Sequence, residues 1–166
     1  VKAGKFDTGK MWTFEYPPID YFEEEYGFDA DEDWFDHVRM AALRFATYCS
    51  ASFVSEDGLV MTNHHCARQN VTKVTQEGEE LHANGFMSYT LEDERLVPGL
   101  FVDQLVYFQD VTDEIYDAME EGKTEDEKLA FKTRMIEEIE TRVAEETELE
   151  VSITPLYEGG RYSLYG

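Results

Sequence analysis

The pattern of apolar and polar residues predicts a helix between Asp29 and Phe45. Asp29, followed three residues later by Glu32, is a variant of the capping box that begins helices. Apolar residues then recur at the spacing of one helix face. The residues on this face are Trp34, Val38, Ala41, Ala42 and Phe45. An aromatic-rich stripe of this kind favours a helix packed into a core over a ligand-binding stripe.

The period changes to two residues after this helix, which predicts a β-hairpin. Residues 52–55 are the first short strand and residues 59–62 the second, with Glu-Asp-Gly at 56–58 as the turn. Asp-Gly between two apolar runs is a strong hairpin signal. The second strand runs directly into residues 63–66, Asn-His-His-Cys.

Helix start signals recur in the second half of the chain. Thr112 is expected to cap a short helix that stops at Gly122, and Thr124 with Glu127 is a capping box that opens a longer, acidic helix. The apolar residues that these helices are expected to bury are Ile115, Ala118 and Met119, followed by Leu129, Ile136, Ile139 and Val143.

Strand patterns border these helices. Residues 71–99 are mostly loop-like, and residues 100–108 are apolar enough for a buried strand. Residues 149–154 alternate between apolar and polar, and after a Gly-Gly turn at 159–160 residues 161–165 begin a partner strand. Because such a hairpin is a poor place for a domain to end, we expect the chain to be a fragment of a longer protein.

Charge and composition exclude several classes of partner. The 166 residues carry 37 acidic and 14 basic side chains, a formal net charge of -23. This balance argues against nucleic acids and anionic membrane surfaces, which bind clustered Lys and Arg. There is also no apolar run of about 18 residues, so no membrane insertion is expected. Solvated acidic helix faces, exaggerated in a salt-adapted source, are a better explanation than an acidic site for cationic ligands.

The residues that follow the hairpin are the best candidates for chemistry. A histidine just past a strand, followed by a cysteine, suits a general base held at the edge of a cleft. A surface histidine and a metal ligand are the alternatives. Neighbours on a strand point to opposite faces, so His64 and His65 are not expected to share an ion, and His37 and His82 lack paired-ligand spacing. We therefore expect no metal and no cofactor.

Other catalytic signals are missing. No Gly-x-Ser-x-Gly nucleophile elbow is present, and none of the many aspartates lies in a sequence context that marks it as a catalytic residue. Cys49 and Cys66 fit one disulfide or two buried thiols equally well by number. The Asn70-Val71-Thr72 triplet matches a glycosylation sequon, to which we assign no role.

Several short stretches occur in a distinctive order along nearly the whole chain, and residues 57–65 (DGLVMTNHH) are the most specific of them. The other stretches are 9–12 (GKMW), 36–39 (DHVR), 52–55 (SFVS), 97–99 (VPG), 110–112 (DVT), 156–157 (LY) and 159–162 (GGRY). Together these stretches resemble the N-terminal region of the bacterial dipeptidyl-peptidase 7 and 11 serine peptidases.

This resemblance implies a fold, an activity and a location. Family members are exopeptidases that remove dipeptides from peptide N-termini in the bacterial periplasm or at the cell surface. Their fold is mainly β with helices, a chymotrypsin-like double β-barrel with a large helical insertion. Residues 1–166 would then be the N-terminal part of the catalytic domain. Peptides are the expected partners, and a homodimer is left open.

The resemblance also assigns roles to individual residues. The catalytic histidine of the family is the second of the pair, here His65, which would act as the general base. The partner aspartate and serine lie beyond Gly166, so this piece alone is expected to be inactive. By analogy with chymotrypsin-like enzymes, Cys49 and Cys66 would form a bridge that ties down the histidine loop. His64 would support that loop, and Asn63 would either orient it through side-chain hydrogen bonds or have a plain turn role.

Two rival functions are left open by the residues themselves. One is a non-catalytic, peptidase-like module whose acidic surface contacts a basic partner. The other is an endopeptidase of the same barrel class. A serine in a Gly-x-Ser-Gly-like context beyond this chain would favour an enzyme over the module.

Overall fold

The computed structural model describes residues 12–166, and the chain divides between Gln104 and Leu105 into two compact units. Each unit combines helices with an antiparallel sheet. The elements of the first unit are α1 (Ile19–Tyr26), α2 (Glu32–Ala41), β1 (Ala42–Phe45), β2 (Cys49–Phe53), β3 (Val60–Thr62), α3 (His64–Val74), α4 (Leu81–Asn84) and β4 (Val102–Gln104). The elements of the second are β5 (Phe108–Asp110), α5 (Thr112–Glu120), α6 (Glu125–Thr147), β6 (Ser152–Leu156) and β7 (Arg161–Tyr165).

The helix predicted from Asp29 to Phe45 is shorter than expected at both ends. Its N-cap is Asp31, whose carboxylate accepts a hydrogen bond from the Trp34 backbone N–H at 2.8 Å. The helix ends at Ala41, and the chain continues directly as strand β1. Leu43 and Phe45 are buried there on either side of the exposed Arg44, the alternation typical of a strand. The prediction that Ala42 and Phe45 lie on a helix face is therefore wrong.

Helices α1 and α2 pack through aromatic rings. The Phe22 ring of α1 lies 5.8 Å from the Phe35 ring of α2, and Phe28 lies 5.1 Å from Trp34. These tilted and edge-on contacts are the arrangements that aromatic pairs prefer. No residue of α2 is fully buried, so the predicted stripe forms a half-exposed aromatic layer instead of a sealed core.

The sheet of the first unit has the strand order β3-β2-β1-β4, with every neighbouring pair antiparallel. The predicted hairpin is confirmed as β2 and β3, in which Ala51 pairs with Thr62 and Phe53 with Val60. Gly58 has a φ of +82°, a left-handed conformation that favours glycine in the turn. The buried core beside this sheet consists of Phe45, Ala46 and Cys66, with Cys49, Ala51, Leu100 and Val102 packed against it.

Residues 64–74 form helix α3, which the sequence pattern did not predict; 71–74 were expected to be loop. Arg95 anchors the end of this helix. Its guanidinium donates to the Val74 carbonyl at 2.8 Å and to both Glu79 carboxylate oxygens at 2.6 Å. The hydrogen bonds from Arg95, with one from the Gln76 N–H, lower the pKa of Glu79 to about 2.

The second unit is built on the sheet β5-β7-β6, against which α5 and α6 pack. The predicted Thr124–Glu127 capping box is confirmed at the start of α6. Ile115 and Ile139 are fully buried as expected, but Leu129 is 56% exposed, so its predicted burial is wrong. The full core cluster is Val111, Ile115, Ile139, Val143, Tyr162 and Leu164.

Thr112 differs from the predicted cap because it is the first residue of α5, with Val111 at the N-cap position. The Thr112 hydroxyl donates to the Asp110 carboxylate and accepts a hydrogen bond from the Tyr162 N–H at 2.9 Å. It therefore ties the helix to strand β7 instead of capping it. The predicted hairpin of β6 and β7 is confirmed, with Ile153 opposite Leu164.

Two further predictions concern a strand over residues 100–108 and the double β-barrel. Residues 100–108 do not form one strand, because β4 ends at Gln104 and β5 begins at Phe108 in a different sheet. The double β-barrel stays a prediction, since residues 12–166 display a mixed arrangement of helices and two antiparallel sheets. In the same residues, no helix is long and apolar enough to cross a bilayer.

We expect Ile139→Ala to lower the free energy of unfolding by about 2–5 kcal/mol, because it removes a fully buried side chain and leaves a cavity. Leu129→Ala, on the exposed part of the same helix, is the matched control and is expected to change it by less than about 0.5 kcal/mol. Chemical denaturation followed by circular dichroism measures both. Equal effects of the two changes would contradict the assignment of the core.

The Glu79–Arg95 pair is expected to make stability depend on acid pH. The folded-state pKa of Glu79 is about 2, below its ordinary value of 4.5, so the pair stabilises the fold above pH 4.5. This contribution is lost as the pH falls from 4.5 towards 2. We therefore expect the stability difference between the wild type and Glu79→Gln to shrink across this range in thermal unfolding. A difference that stays constant with pH would contradict the pairing.

Candidate functional site

The predicted general base lies at the start of helix α3. The chain leaves β3 at Thr62, Asn63 takes the N-cap position, and His64 and His65 are the first two helical residues. The argument that His64 and His65 diverge because they are neighbours on a strand is therefore wrong. Successive helical residues project about 100° apart, so the two imidazoles still diverge, for a different reason from the one predicted. His65 is exposed to solvent.

Asn63 contributes through its backbone. Its side chain makes no capping hydrogen bond, although Asn is a favoured N-cap residue. Its carbonyl instead accepts the Cys66 N–H at 3.0 Å, which closes the first turn around His64 and His65. The supporting roles predicted for Asn63 and His64 stay predictions, with this turn as the available geometry.

A disulfide holds this turn against the sheet. Cys49 is the first residue of β2 and Cys66 the third of α3, and their sulfurs are bonded with the Cα atoms 6.2 Å apart. The bridge joins residues 17 apart in sequence, which stabilises by about 3 kcal/mol in the chain-entropy model. Cys66 is only 1% exposed and packs with Phe45 and Ala46. The bridge is therefore part of the buried core of the first unit, next in the chain to His65.

Two linked hydrogen bonds, which we call the Tyr48–Asn70 relay, support the same turn. The Tyr48 hydroxyl donates to the Cys66 carbonyl at 3.3 Å, and the Asn70 side-chain amide donates to the Tyr48 oxygen at 3.4 Å. Asn70 is only 5% exposed, so its amide requires an internal partner. Sequence reasoning missed both residues. The available signal was the spacing of Asn70, four residues after Cys66 and so on the same helix face.

The burial of Asn70 bears on the sequon match at residues 70–72. A glycan on the Asn70 amide requires exposure, but this side chain is buried and bonded to Tyr48. Thr72 is exposed, and its hydroxyl lies 3.0 Å from the His82 ring. In the folded unit the triplet is therefore a structural element of α3.

The surroundings of His65 have two notable properties. Its nearer ring nitrogen and the sulfurs of Cys49 and Cys66 all lie within 4.8 Å of one another. Bonded to each other, the two sulfurs offer no thiolate to a metal ion. In the part of the chain that the structure describes, no carboxylate forms an ion pair with His65.

Comparison with known proteins places this site in a family. The sequence model of Peptidase S46 matches residues 6–166. The chain is 30% identical over 128 residues to an Asp/Glu-specific dipeptidyl-peptidase of Capnocytophaga gingivalis, a match that covers 77% of this chain and 18% of that protein. It is 27% identical over 125 residues to Dipeptidyl-peptidase 7 of the same organism, which covers 75% of this chain and 18% of that protein. The chain thus spans about a fifth of the length of these relatives.

Solved structures give the same result. Porphyromonas endodontalis DPP11 in an alternate conformation superposes with a TM-score of 0.62 at 26% identity, over 77% of this chain and 20% of that one. The complex of the same protein with the dipeptide Arg-Asp superposes with a TM-score of 0.56 at 25% identity, over 77% of this chain and 19% of that one. These findings confirm the resemblance based on residues 57–65 and the shorter stretches. The chain belongs to the Peptidase S46 family.

Proposed function

We propose that this chain is the N-terminal part of a serine-type dipeptidyl-peptidase that releases dipeptides from the N-termini of oligopeptides. The observation that carries the proposal is the family match over residues 6–166, whose relatives are dipeptidyl-peptidases. The exposed His65 on a covalently anchored helix turn provides a suitable general base. The serine and aspartate that complete a triad would come from outside residues 1–166, so this piece alone would be inactive.

The proposed role of His65 is to move a proton. One ring nitrogen would take the hydroxyl proton of the serine as it attacks the peptide carbonyl, and would return it to the leaving amine. Both steps require the imidazole to hold one position relative to the serine, because misplacement by about 1 Å costs on the order of 100-fold in rate. The disulfide at Cys66 and the Tyr48–Asn70 relay restrict the adjacent backbone.

The same proposal includes the architecture and the location. Residues 1–166 would contribute the first part of a chymotrypsin-like double β-barrel, and the helical insertion and further strands would come from the rest of the protein. A disulfide between Cys49 and Cys66 suits an oxidising compartment, which supports the periplasm or cell surface. Peptides are the proposed substrates, as the DPP11 complex with Arg-Asp suggests for a related protein.

We expect His65→Ala to abolish hydrolysis of dipeptidyl fluorogenic substrates by the complete gene product, with kcat reduced by roughly 10⁴-fold or more. His37→Ala removes an exposed histidine of α2 and is the matched control, expected to retain wild-type activity. Acetylation of the substrate N-terminus is expected to prevent cleavage by an exopeptidase.

The outcomes separate the three candidate functions. Loss of activity in His65→Ala with a requirement for an unblocked N-terminus supports the dipeptidyl-peptidase. Cleavage of N-acetylated substrates indicates the endopeptidase instead. Inactivity of the wild type, or activity indifferent to His65, favours the non-catalytic binding module.

Tyr48→Phe is expected to lower kcat while leaving KM nearly unchanged, since Tyr48 would position His65 without contacting substrate. The change removes hydrogen bonds to Cys66 and Asn70 worth about 1 kcal/mol, or roughly fivefold in rate if expressed fully in the transition state. Tyr157→Phe, at a side chain that is 70% exposed, is the control. Steady-state kinetics measures kcat and KM of both variants. A change of KM alone in Tyr48→Phe would contradict a positioning role for Tyr48.

A further inference from the structure

Residues 86–96, which we call the apolar loop, expose large hydrophobic side chains on the surface of the first unit. Its exposed members are Phe86, Met87, Tyr89, Leu91 and Leu96. Leu91 is 80% exposed and Leu96 89%. A single exposed hydrophobic side chain is normal on a protein surface, but a group of them in one short segment marks an interaction surface.

Arg95 holds the apolar loop in one shape. The Arg95 guanidinium lies 4.8 Å from the centroid of the Phe86 ring, a cation–π contact that brings the two ends of the loop together. The same guanidinium bonds to Glu79 and to the Val74 carbonyl. Compact loops whose ends meet usually pack their own side chains inward. Here the apolar side chains between the ends stay exposed, which suits a preformed docking surface.

The length of the relatives indicates what covers this surface. The chain spans about a fifth of their length, so in the proposed full protein most of the polypeptide lies outside residues 1–166. We propose that the apolar loop is an intramolecular docking surface, covered by a hydrophobic segment of the same protein beyond Gly166. The inference rests on the proposed function only in that residues 1–166 are the N-terminal part of a longer protein.

The charge of the loop favours a segment of the same polypeptide over a second copy. Residues 92–94 (EDE) are three exposed acids within the loop. A two-fold contact between copies would bring both acidic runs into one interface, where like charges repel. A tethered segment binds at a high effective concentration and avoids this repulsion. We therefore expect it to be apolar at its centre, with Lys or Arg opposite residues 92–94.

The apolar loop is bonded to the helix that carries the proposed general base. Arg95 donates to the carbonyl of Val74, the last residue of α3, whereas His65 lies in the first turn. A segment docked on the loop would hold the far end of α3, in addition to the disulfide at its start. Because the proposed serine also lies beyond Gly166, docking would fix α3 relative to the part of the protein that supplies this serine.

Thiol labelling of the complete gene product measures whether the apolar loop is covered. Leu96→Cys places one thiol on the loop, and the two native cysteines do not react because they are bonded to each other. Glu121→Cys, at an exposed acid that follows α5, is the matched control. We expect a maleimide to label Leu96→Cys more slowly than the control by roughly tenfold or more, because labelling then requires local opening. In denaturant, both thiols are expected to react at the same rate.

Photo-cross-linking of the purified complete gene product identifies the occupant. Tyr89→p-benzoylphenylalanine keeps an aromatic ring in the loop and reacts with neighbouring C–H bonds when illuminated. We expect cross-links within one polypeptide, to peptides beyond Gly166, which mass spectrometry of a digest locates. The same amino acid in place of Glu121 is the control and is expected to give few cross-links. If circular dichroism shows that Leu96→Cys does not fold, this experiment alone decides.

Several results would overturn the proposal. Labelling of Leu96→Cys as fast as the control would show that the loop is open to solvent. Cross-links between two polypeptides would identify a second copy as the occupant, and cross-links confined to residues 1–166, or none at all, would exclude the covering segment. These readouts do not depend on peptidase activity. An active peptidase with an open loop refutes only the docking surface, and a covered loop in an inactive protein refutes only the proposed activity.

Discussion

The covalent link between β2 and α3 is the constraint on which the first unit depends. Helix α3 buries only Cys66 and Asn70, so it has little apolar surface with which to hold itself against the sheet. A disulfide from its first turn replaces the missing hydrophobic contact, and Tyr48 and Arg95 add hydrogen bonds near its two ends. The turn that carries His65 is therefore fixed by specific bonds instead of by a large core.

Local signals in the sequence were sufficient where a structure depends on a few adjacent residues. The hairpin followed from Asp57-Gly58, and the start of α6 from Thr124 and Glu127, because in both cases the stabilising contacts lie within a short stretch. The buried face of α6 was largely visible in its apolar spacing. The predicted burial of Leu129 is wrong because a repeating pattern does not reveal where along a long helix the contact with its packing partner begins.

Elements held by distant contacts were not predictable in this way. Strand β1 looks helical by spacing, and only its pairing with both β2 and the remote β4 makes it extended. Helix α3 was missed because the residues it buries are a cysteine and an asparagine, which contribute no apolar period. For the site, the sequence and its resemblance led to His65 and the two cysteines. Tyr48 and Asn70 escaped notice because they meet across 22 residues.

The position of the bridge also affects how the first unit tolerates damage to its backbone. The Glu56–Gly58 turn is exposed and lies inside the loop closed by Cys49 and Cys66. A proteolytic nick in this turn would produce two chains that remain covalently joined, with the paired residues of β2 and β3 still tethered close together. The first unit can thus lose the continuity of this exposed turn without releasing the strand and helix that hold His65.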